Sequence, residues 1–595
     1  MKWEVRTMRS GTSFFNPTLF RKALTRCWPV WAISLVTWLL ALPVRGLMAL
    51  RKDLELGSGS GNLETFAERL SNSTAEASVL FALALGVIAA MAMYSYLYST
   101  RSANFMGALP VRREGVFFSH YLAGLVMLLA PNVLVFLLTA AVEAAGGSLL
   151  WQPLLVWLGG FCGAEFFFYS FAVFLGMFTG HILALPVFYG IFNALAAAVY
   201  YLLIWVMGIF YYGYAARPGA ERAVEWLTPV WRLCERVSYA SYEPGSFPFY
   251  GVDLRAAAVY AGAAVVLTAL SALLCRRRQL ERAGDVVAVA AMRPVFKYGV
   301  ALCSGLFFGF LTSQLLGTGS TGLMIAIVLW GAAGYFVAQM LLDKTFRVLR
   351  RFPGALAVTA VFAALFLVVG LDLTGYETRV PAPAEVEKVR ISGLNLDGNY
   401  DSASYLDLTL TRTDEIRLVT DLHRAVADHR DKEGDAYARR YSTLNLTYTL
   451  RDGSVLIREY YVGVNPDAAA ESGSVAHAAQ RLRADRDIAW QAYGFDRAEL
   501  LEEIGGRLLQ AEWDDKESGE YRSVYGDEAQ ALLAAVKEDF AAGAIGNHSL
   551  EKEESAGMRV CFVWSGLGGA GESLEIVVEN GSTNTLACLA VLTAD

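Results

Sequence analysis

Residues 154–178 read LLVWLGGFCGAEFFFYSFAVFLGMF, a run with one ionisable side chain, Glu165. Crossing a bilayer takes ~20 mostly apolar helical residues, and a soluble core helix seldom runs so far without charge. The run therefore reads as a membrane span. Eight more share its character: 28–50, 78–99, 115–142, 183–212, 255–275, 298–316, 321–342 and 353–372. The 183–212 run is longer than one crossing requires, so its end is expected to continue past the bilayer or to bend. Pro43, Pro131 and Pro186 inside these runs are compatible with spanning, because neighbouring helices re-satisfy the freed backbone groups.

Outside the runs, charge divides the chain. Of 595 residues, 55% are hydrophobic and only 18% charged. Residues 1–372 carry a net charge of +10 and residues 373–595 one of −17. A basic apolar part and an acidic polar part imply a membrane region with cationic inner loops and a separate soluble domain. The first 27 residues are too polar for the core of a signal peptide. Orientation follows from the loops. One set holds nineteen Lys and Arg, including Lys2, Arg6, Arg9, Arg101, Arg112, Arg113, Arg276, Arg277, Arg278, Arg282 and Lys344; the opposite set, including Arg69, holds seven. The richer set is read as cytoplasmic, so nine spans place the N-terminus inside and the C-terminal domain outside.

Two non-spanning segments read as interfacial. Residues 14–27, FFNPTLFRKALTRC, have Asn16 placed to cap a helix that starts at Pro17. Residues 213–254 mix Glu221, Arg222, Arg232 and Glu235 with Trp226 and Trp231, which suits short amphipathic helices at headgroup depth. After Asp372 a proline-bearing linker leads into alternating runs at 386–392, 404–411, 443–450 and 455–464, with Asp452-Gly453 as a hairpin turn. Helices are expected at 414–430 and 526–542, and strands near 558–564 and 574–579. The fold class is thus a membrane all-α bundle of about nine transmembrane helices followed by one soluble α+β domain. Its divisions are 1–27, an amphipathic cytoplasmic helix; 28–275, a six-helix core; 276–372, a cytoplasmic loop with three added spans; and 373–595, the acidic domain.

Chemistry-bearing motifs are scarce. No G-x-x-x-x-G-K-[ST], H-E-x-x-H or G-x-S-x-G occurs, and the glycine run 566–571 reads as a loop. Seven cysteines show no metal spacing; Cys561 and Cys588 lie in strand-like runs, where both a disulfide and two free thiols stay open. His423, His429, His477 and His548 read as ordinary surface histidines, and no metal or cofactor is expected. Glu165 is the deepest ionisable group in a span and marks a possible intramembrane polar site. It either hydrogen-bonds a neighbouring helix or lines a substrate or inter-subunit cavity. Arg45, Glu143, His120 and His181 lie nearer span ends, where snorkelling suffices.

The most informative loop is 98–124, YSTRSANFMGALPVRREGVFFSHYLAG. A short helix ends at Leu109-Pro110, paired arginines follow, and an acid starts the next span. That is a rigid turn with apolar knobs (Phe105, Met106, Leu109) and exposed positive charge, suited either to docking on another protein or to setting orientation. It resembles the loop between the second and third spans of type-2 bacterial ABC transporter permeases, whose coupling helix meets the ATPase. Ser102, Asn104 and Phe105 match that helix, and Leu109, Pro110, Val111, Arg113 and Glu114 match the pattern after it. Ala108 stands where the family usually has serine. The resemblance covers residues ~14–275.

It implies the permease subunit of an ABC exporter in the bacterial cytoplasmic membrane. ATP is then bound and hydrolysed by a separate cytoplasmic ABC ATPase, and the chain is no enzyme. Its partners are a second copy or a sister permease and the lipid bilayer, with no nucleic acid. Two other readings stand beside it. One is a membrane-anchored sensor or adaptor whose outer domain binds a ligand. The other is an intramembrane enzyme using Glu165 with His181.

Overall fold

The computed structural model describes residues 14–56, 61–147, 149, 151–217, 219–239, 249–278, 284–373, 375–394, 406–428, 440–503, 506–514, 521–545, 558–565, 572–578 and 581–594. Lys2, Arg6, Arg9, Arg282, His429, His548 and the glycine run 566–571 lie outside them, as does the side chain of Arg69. The chain divides into two compact units, 1–203 with 218–363, and 204–217 with 364–595.

The first unit is helical: α1 (Pro17–Arg26), α2 (Trp28–Ala41), α3 (Pro43–Leu56), α4 (Gly61–Tyr94), α5 (Thr100–Gly107), α6 (Arg113–Ala145), α7 (Trp151–Phe178) and α8 (Ala184–Phe210). After them come α9 (Ala220–Leu227), α10 (Pro229–Cys234), the hairpin β1 (Arg236–Tyr239) and β2 (Phe249–Val252), α11 (Leu254–Arg277), α12 (Met292–Leu316), α13 (Ser320–Asp343) and α14 (Phe352–Gly370). Among the described residues nine helical stretches are long and apolar enough to cross a membrane, α2 and α3 counting as one. They coincide with the nine runs of the sequence, which makes the chain a multi-pass membrane protein. The β1–β2 hairpin between α10 and α11 was not expected from the pattern.

Asn16 caps α1 as anticipated, accepting from the Thr18 and Leu19 amides at 3.0 and 3.2 Å. Its own N–H donates to Ser119 Oγ at 2.8 Å, which fastens α1 to α6. Helix α7 runs through the middle, and Trp38, Phe81, Trp157 and Phe161 interlock around it, with Trp38 and Phe161 centroids 4.8 Å apart. With lipid as apolar as any side chain, close backbone approach is what holds such helices together. A Cβ on Gly86 of α4 would stand 2.9 Å from the Tyr169 amide nitrogen of α7. In the α12–α13 hairpin a Cβ on Gly309 would stand 2.8 Å from Ile327 Cα.

The second unit begins with the end of α8 and the end of α14. The Tyr212 amide donates to the Glu377 carboxylate at 2.7 Å, and the Tyr211 and Tyr376 rings lie 5.2 Å apart. Its strands and helices are β3 (Val386–Gly393), β4 (Leu406–Leu410), α15 (Thr413–Asp428), β5 (Arg440–Leu450), β6 (Val455–Val464), α16 (Val475–Ala484), α17 (Arg486–Ala492) and α18 (Phe495–Glu503). They continue with β7 (Leu508–Asp514), β8 (Tyr521–Tyr525), α19 (Asp527–Ala542), β9 (Met558–Trp564), β10 (Glu572–Val578) and α20 (Thr583–Ala594). Arg458 of β6 is buried, lies 3.9 Å from the Tyr376 ring centre and donates to the Tyr376 carbonyl at 2.6 Å. At Gly213, φ is +74° and a Cβ would overlap the Tyr460 ring, so only glycine fits this turn.

The anticipated α+β domain lies in one compact unit and is built of two lobes with separate cores. They are copies of one topology. Each has two strands, a 16-residue helix, two strands and a further helix. The antiparallel sheets run β4-β3-β5-β6 and β8-β7-β9-β10. Register slips one residue into the first strand of both, at Val386/Lys388 and at Leu508/Gln510. A bulge kept at one place in two sheets is a specific coincidence. Equivalent positions are 114 residues apart at the helix starts, Thr413 and Asp527, and at the ends of the third strands, Leu450 and Trp564. At that spacing the buried faces of α15 and α19 coincide: Val419 with Leu533, Leu422 with Val536, Val426 with Phe540. The domain thus holds two repeats of one topology.

Cys588 lies in α20 and not in a strand, because the apolar stretch from Leu586 packs as a helix on the second core. It and Cys561 are free thiols. His423 is no surface histidine. It is fully buried between two tyrosines, with Nδ1 3.1 Å from Tyr448 Oη and Nε2 2.9 Å from Tyr460 Oη.

Candidate functional site

The loop singled out by sequence forms a compact structure at one end of the bundle. A 3-10 turn, Ser95–Tyr98, closes α4; Ser99 is extended, and α5 follows. The Ala108 amide closes α5 on the Asn104 carbonyl at 3.0 Å. Pro110 lacks a backbone donor and disfavours helical backbone before it, which suits the turn here, and α6 starts at Arg113. Glu114 sits in the first turn of α6, where the helix dipole favours an acid, and pairs with Arg276 of α11 at 2.5 Å. Arg113 donates to the Arg278 carbonyl at 3.1 Å.

Ser102, Asn104, Phe105 and Pro110 are exposed, Phe105 to 68%, while Ala103 is buried. Met106, Leu109 and Val111 are half-buried. Of the three expected knobs only Phe105 stands free, because α5 turns its Ala103 side inward. Sequence reasoning placed Arg278 only in the basic loop 276–297, as an inner anchor or a further contact with the ATPase. Its guanidinium is buried and donates to four carbonyls, those of Gly176 (2.6 Å), Met177 (3.2 Å), Thr179 (2.8 Å) and Leu97 (3.3 Å). No local signal separates it from Arg276 and Arg277, since its partners come from two distant segments.

Glu165 lies elsewhere, fully buried in α7, and accepts from Asn132 Nδ2 of α6 at 2.6 Å. This is the hydrogen bond to a neighbouring helix weighed in the sequence. A groove of about 520 Å³ opens between α1–α2 and α6, walled by Trp28, Trp31, Leu35, Val126, Pro131 and Leu134, and Glu165 is not in its wall. His181 lies past Phe178, the last residue of α7, which is itself 13 residues and so roughly 20 Å from Glu165 along the helix axis, so the two do not work together. Among the described residues no cluster of His, Cys, Asp and Glu offers a metal site.

Glu165 Oε1 and Asn132 Oδ1 are buried acceptors without a donor among the described residues. Glu165→Gln would accept from Asn132 Nδ2 and return a donor to Asn132 Oδ1. It is expected to unfold at a higher temperature in detergent than the wild type. Asn132→Leu, which strands the carboxyl, should cost about 1–3 kcal/mol. Equal melting of all three chains would show that the pair is inert.

Comparison with protein-family models, with curated proteins and with solved structures gave no match to this chain.

Proposed function

We propose that the chain is the membrane-spanning subunit of an ATP-driven ABC exporter, with its N-terminus and α5 in the cytoplasm and the two lobes outside. The observation that carries this reading is α5 itself. It is a short helix between the second and third spans, braced at both ends, that presents Phe105 outward ahead of Leu109-Pro110 and the Arg113–Glu114 start of the next span. A lone exposed aromatic on a rigid turn is the kind of anchor that fills a groove on a partner. The motor lies in that partner, an ABC ATPase, and two membrane halves, identical or sister, complete the transporter. ATP-driven closure of two motor subunits would push α5 and shift the first six spans as rigid bodies. A photo-crosslinking residue at position 105, in cells of the organism that makes this chain, is expected to capture an ABC ATPase. Capture from Leu371 instead, or from neither, would sink the assignment.

The repeated topology favours keeping the sensor reading as a second one, since two equivalent lobes suit a ligand-binding module. Under it, deletion of 379–595 abolishes ligand response and no ATPase is captured at 105.

A further inference from the structure

We infer that Arg278 is the positioning residue that makes the 3-10 turn before α5 and the end of α7 move as one piece with the end of α11. The argument starts from the unfilled carbonyls at the C-terminus of every helix, which carry partial negative charge. At α7 three of them, from Gly176, Met177 and Thr179, converge on one guanidinium. The same group reaches the Leu97 carbonyl, two residues before the extended Ser99 that leads into α5. The Tyr98 ring lies 5.9 Å from the guanidinium carbon, and the Arg278 backbone carbonyl accepts from Arg113 at the start of α6.

Arg278 thus joins four elements, the 3-10 turn 95–98, α6, α7 and α11, at one buried point. Lysine has the charge but not the planar fork, so it cannot serve two chain segments in this way. The neighbouring backbone extends the joint: Gly180 donates to the Asp285 carbonyl at 2.9 Å, and Ala288 to the Phe178 carbonyl at 2.7 Å. Asp285 pairs with Arg293 at 3.2 Å and Lys344 at 2.7 Å, which ties α12 and the end of α13 to the same place. A push on α5 therefore has a stiff route to α7, the central helix. That the push comes from an ATPase rests on the function proposed above; the joint itself does not.

Hydrogen exchange on the full chain in lipid nanodiscs tests the joint. In Arg278→Met, amides of 95–108 and of 176–182 should exchange faster together, by about tenfold or more, while those in the middle of α4 and α6 keep their wild-type rates. Arg278→Lys should loosen the same two segments by less, and it serves where the methionine variant fails to fold. Wild-type rates in both segments, or faster exchange in only one, would overturn the inference. In the complex with the ATPase, ATP and vanadate should alter exchange at 100–108 and 176–182 in the wild type. In Arg278→Lys the change at 100–108 should persist and the change at 176–182 should be lost. Retention of both changes would also overturn the joint. Should no ATPase associate with the wild type, the functional reading falls, and the nanodisc measurement still decides the joint.

Discussion

Phe105→Asp is expected to abolish assembly with the ATPase while leaving the bundle intact. The side chain is exposed and makes few contacts within the chain, so its loss costs the fold little. At an interface the aspartate would be buried without a partner, which costs about 3 kcal/mol or more and weakens binding by more than about 100-fold. Leu109→Asp is the poorer probe. Leu109 is half-buried beside Pro110, so a charge there disturbs the turn and the docking surface alike. The contrast is checked by measuring ATPase co-purification and thermal unfolding on each variant. A Phe105→Asp chain that unfolds normally and still binds ATPase would place the docking surface elsewhere. Arg112→Gln, an exposed charge on the same turn, should slow association and reduce its salt dependence without abolishing it.

Much of this architecture was legible because bilayer physics leaves few options. A run such as 154–178 has one use, and the nine runs became nine helical stretches with ends shifted by a few residues. The turn at 98–114 was legible through Pro110, which removes a backbone donor and disfavours helix at the residue before it, and Glu114, which suits a helix start. What stayed hidden depends on contacts distant in sequence. Asn132 meets Glu165 across 33 residues, and Arg278 meets Leu97 across 181. The repeated topology was hidden for another reason. Its copies share burial and register but not residue types, as Val426 opposite Phe540 shows, and β7 (LLQAEWD) has only a weak alternation to read. His423 was misplaced because an imidazole on an amphipathic helix looks polar, and only the tyrosines of β5 and β6 make a buried site for it.

Those tyrosines lead to the second large effect, an acid-labile first lobe. Burial, with Arg458 and Arg424 adding positive charge, lowers the His423 pKa to about 3. In the unfolded chain a histidine titrates near ~6.5, so between those two values the unfolded state binds the extra proton and the folded lobe does not. The group's folded pKa is depressed, and it is a base. Its contribution is therefore undiminished above pH ~6.5 and falls steadily as the pH drops toward 3. The slope is about 1.4 kcal/mol per pH unit, hence about 2 kcal/mol by pH 5, a large part of what a lobe this size has to lose. Acidic side chains act in the other direction over part of that range, since protonating a domain of charge −17 relieves repulsion. His423→Gln isolates the histidine. It keeps groups able to bond Tyr448 or Tyr460 but takes up no proton. Exchange protection of the β5 amides, corrected for intrinsic rates, should fall more steeply from pH 7 to pH 5 in the wild type than in His423→Gln, by about 30-fold, the equivalent of that 2 kcal/mol. The second lobe is an internal control, because the position equivalent to His423 in α19 is Lys537, and its β9 amides should show no such difference between the two chains. Parallel pH profiles for β5 in both chains would mean that His423 takes up its proton without opening the lobe.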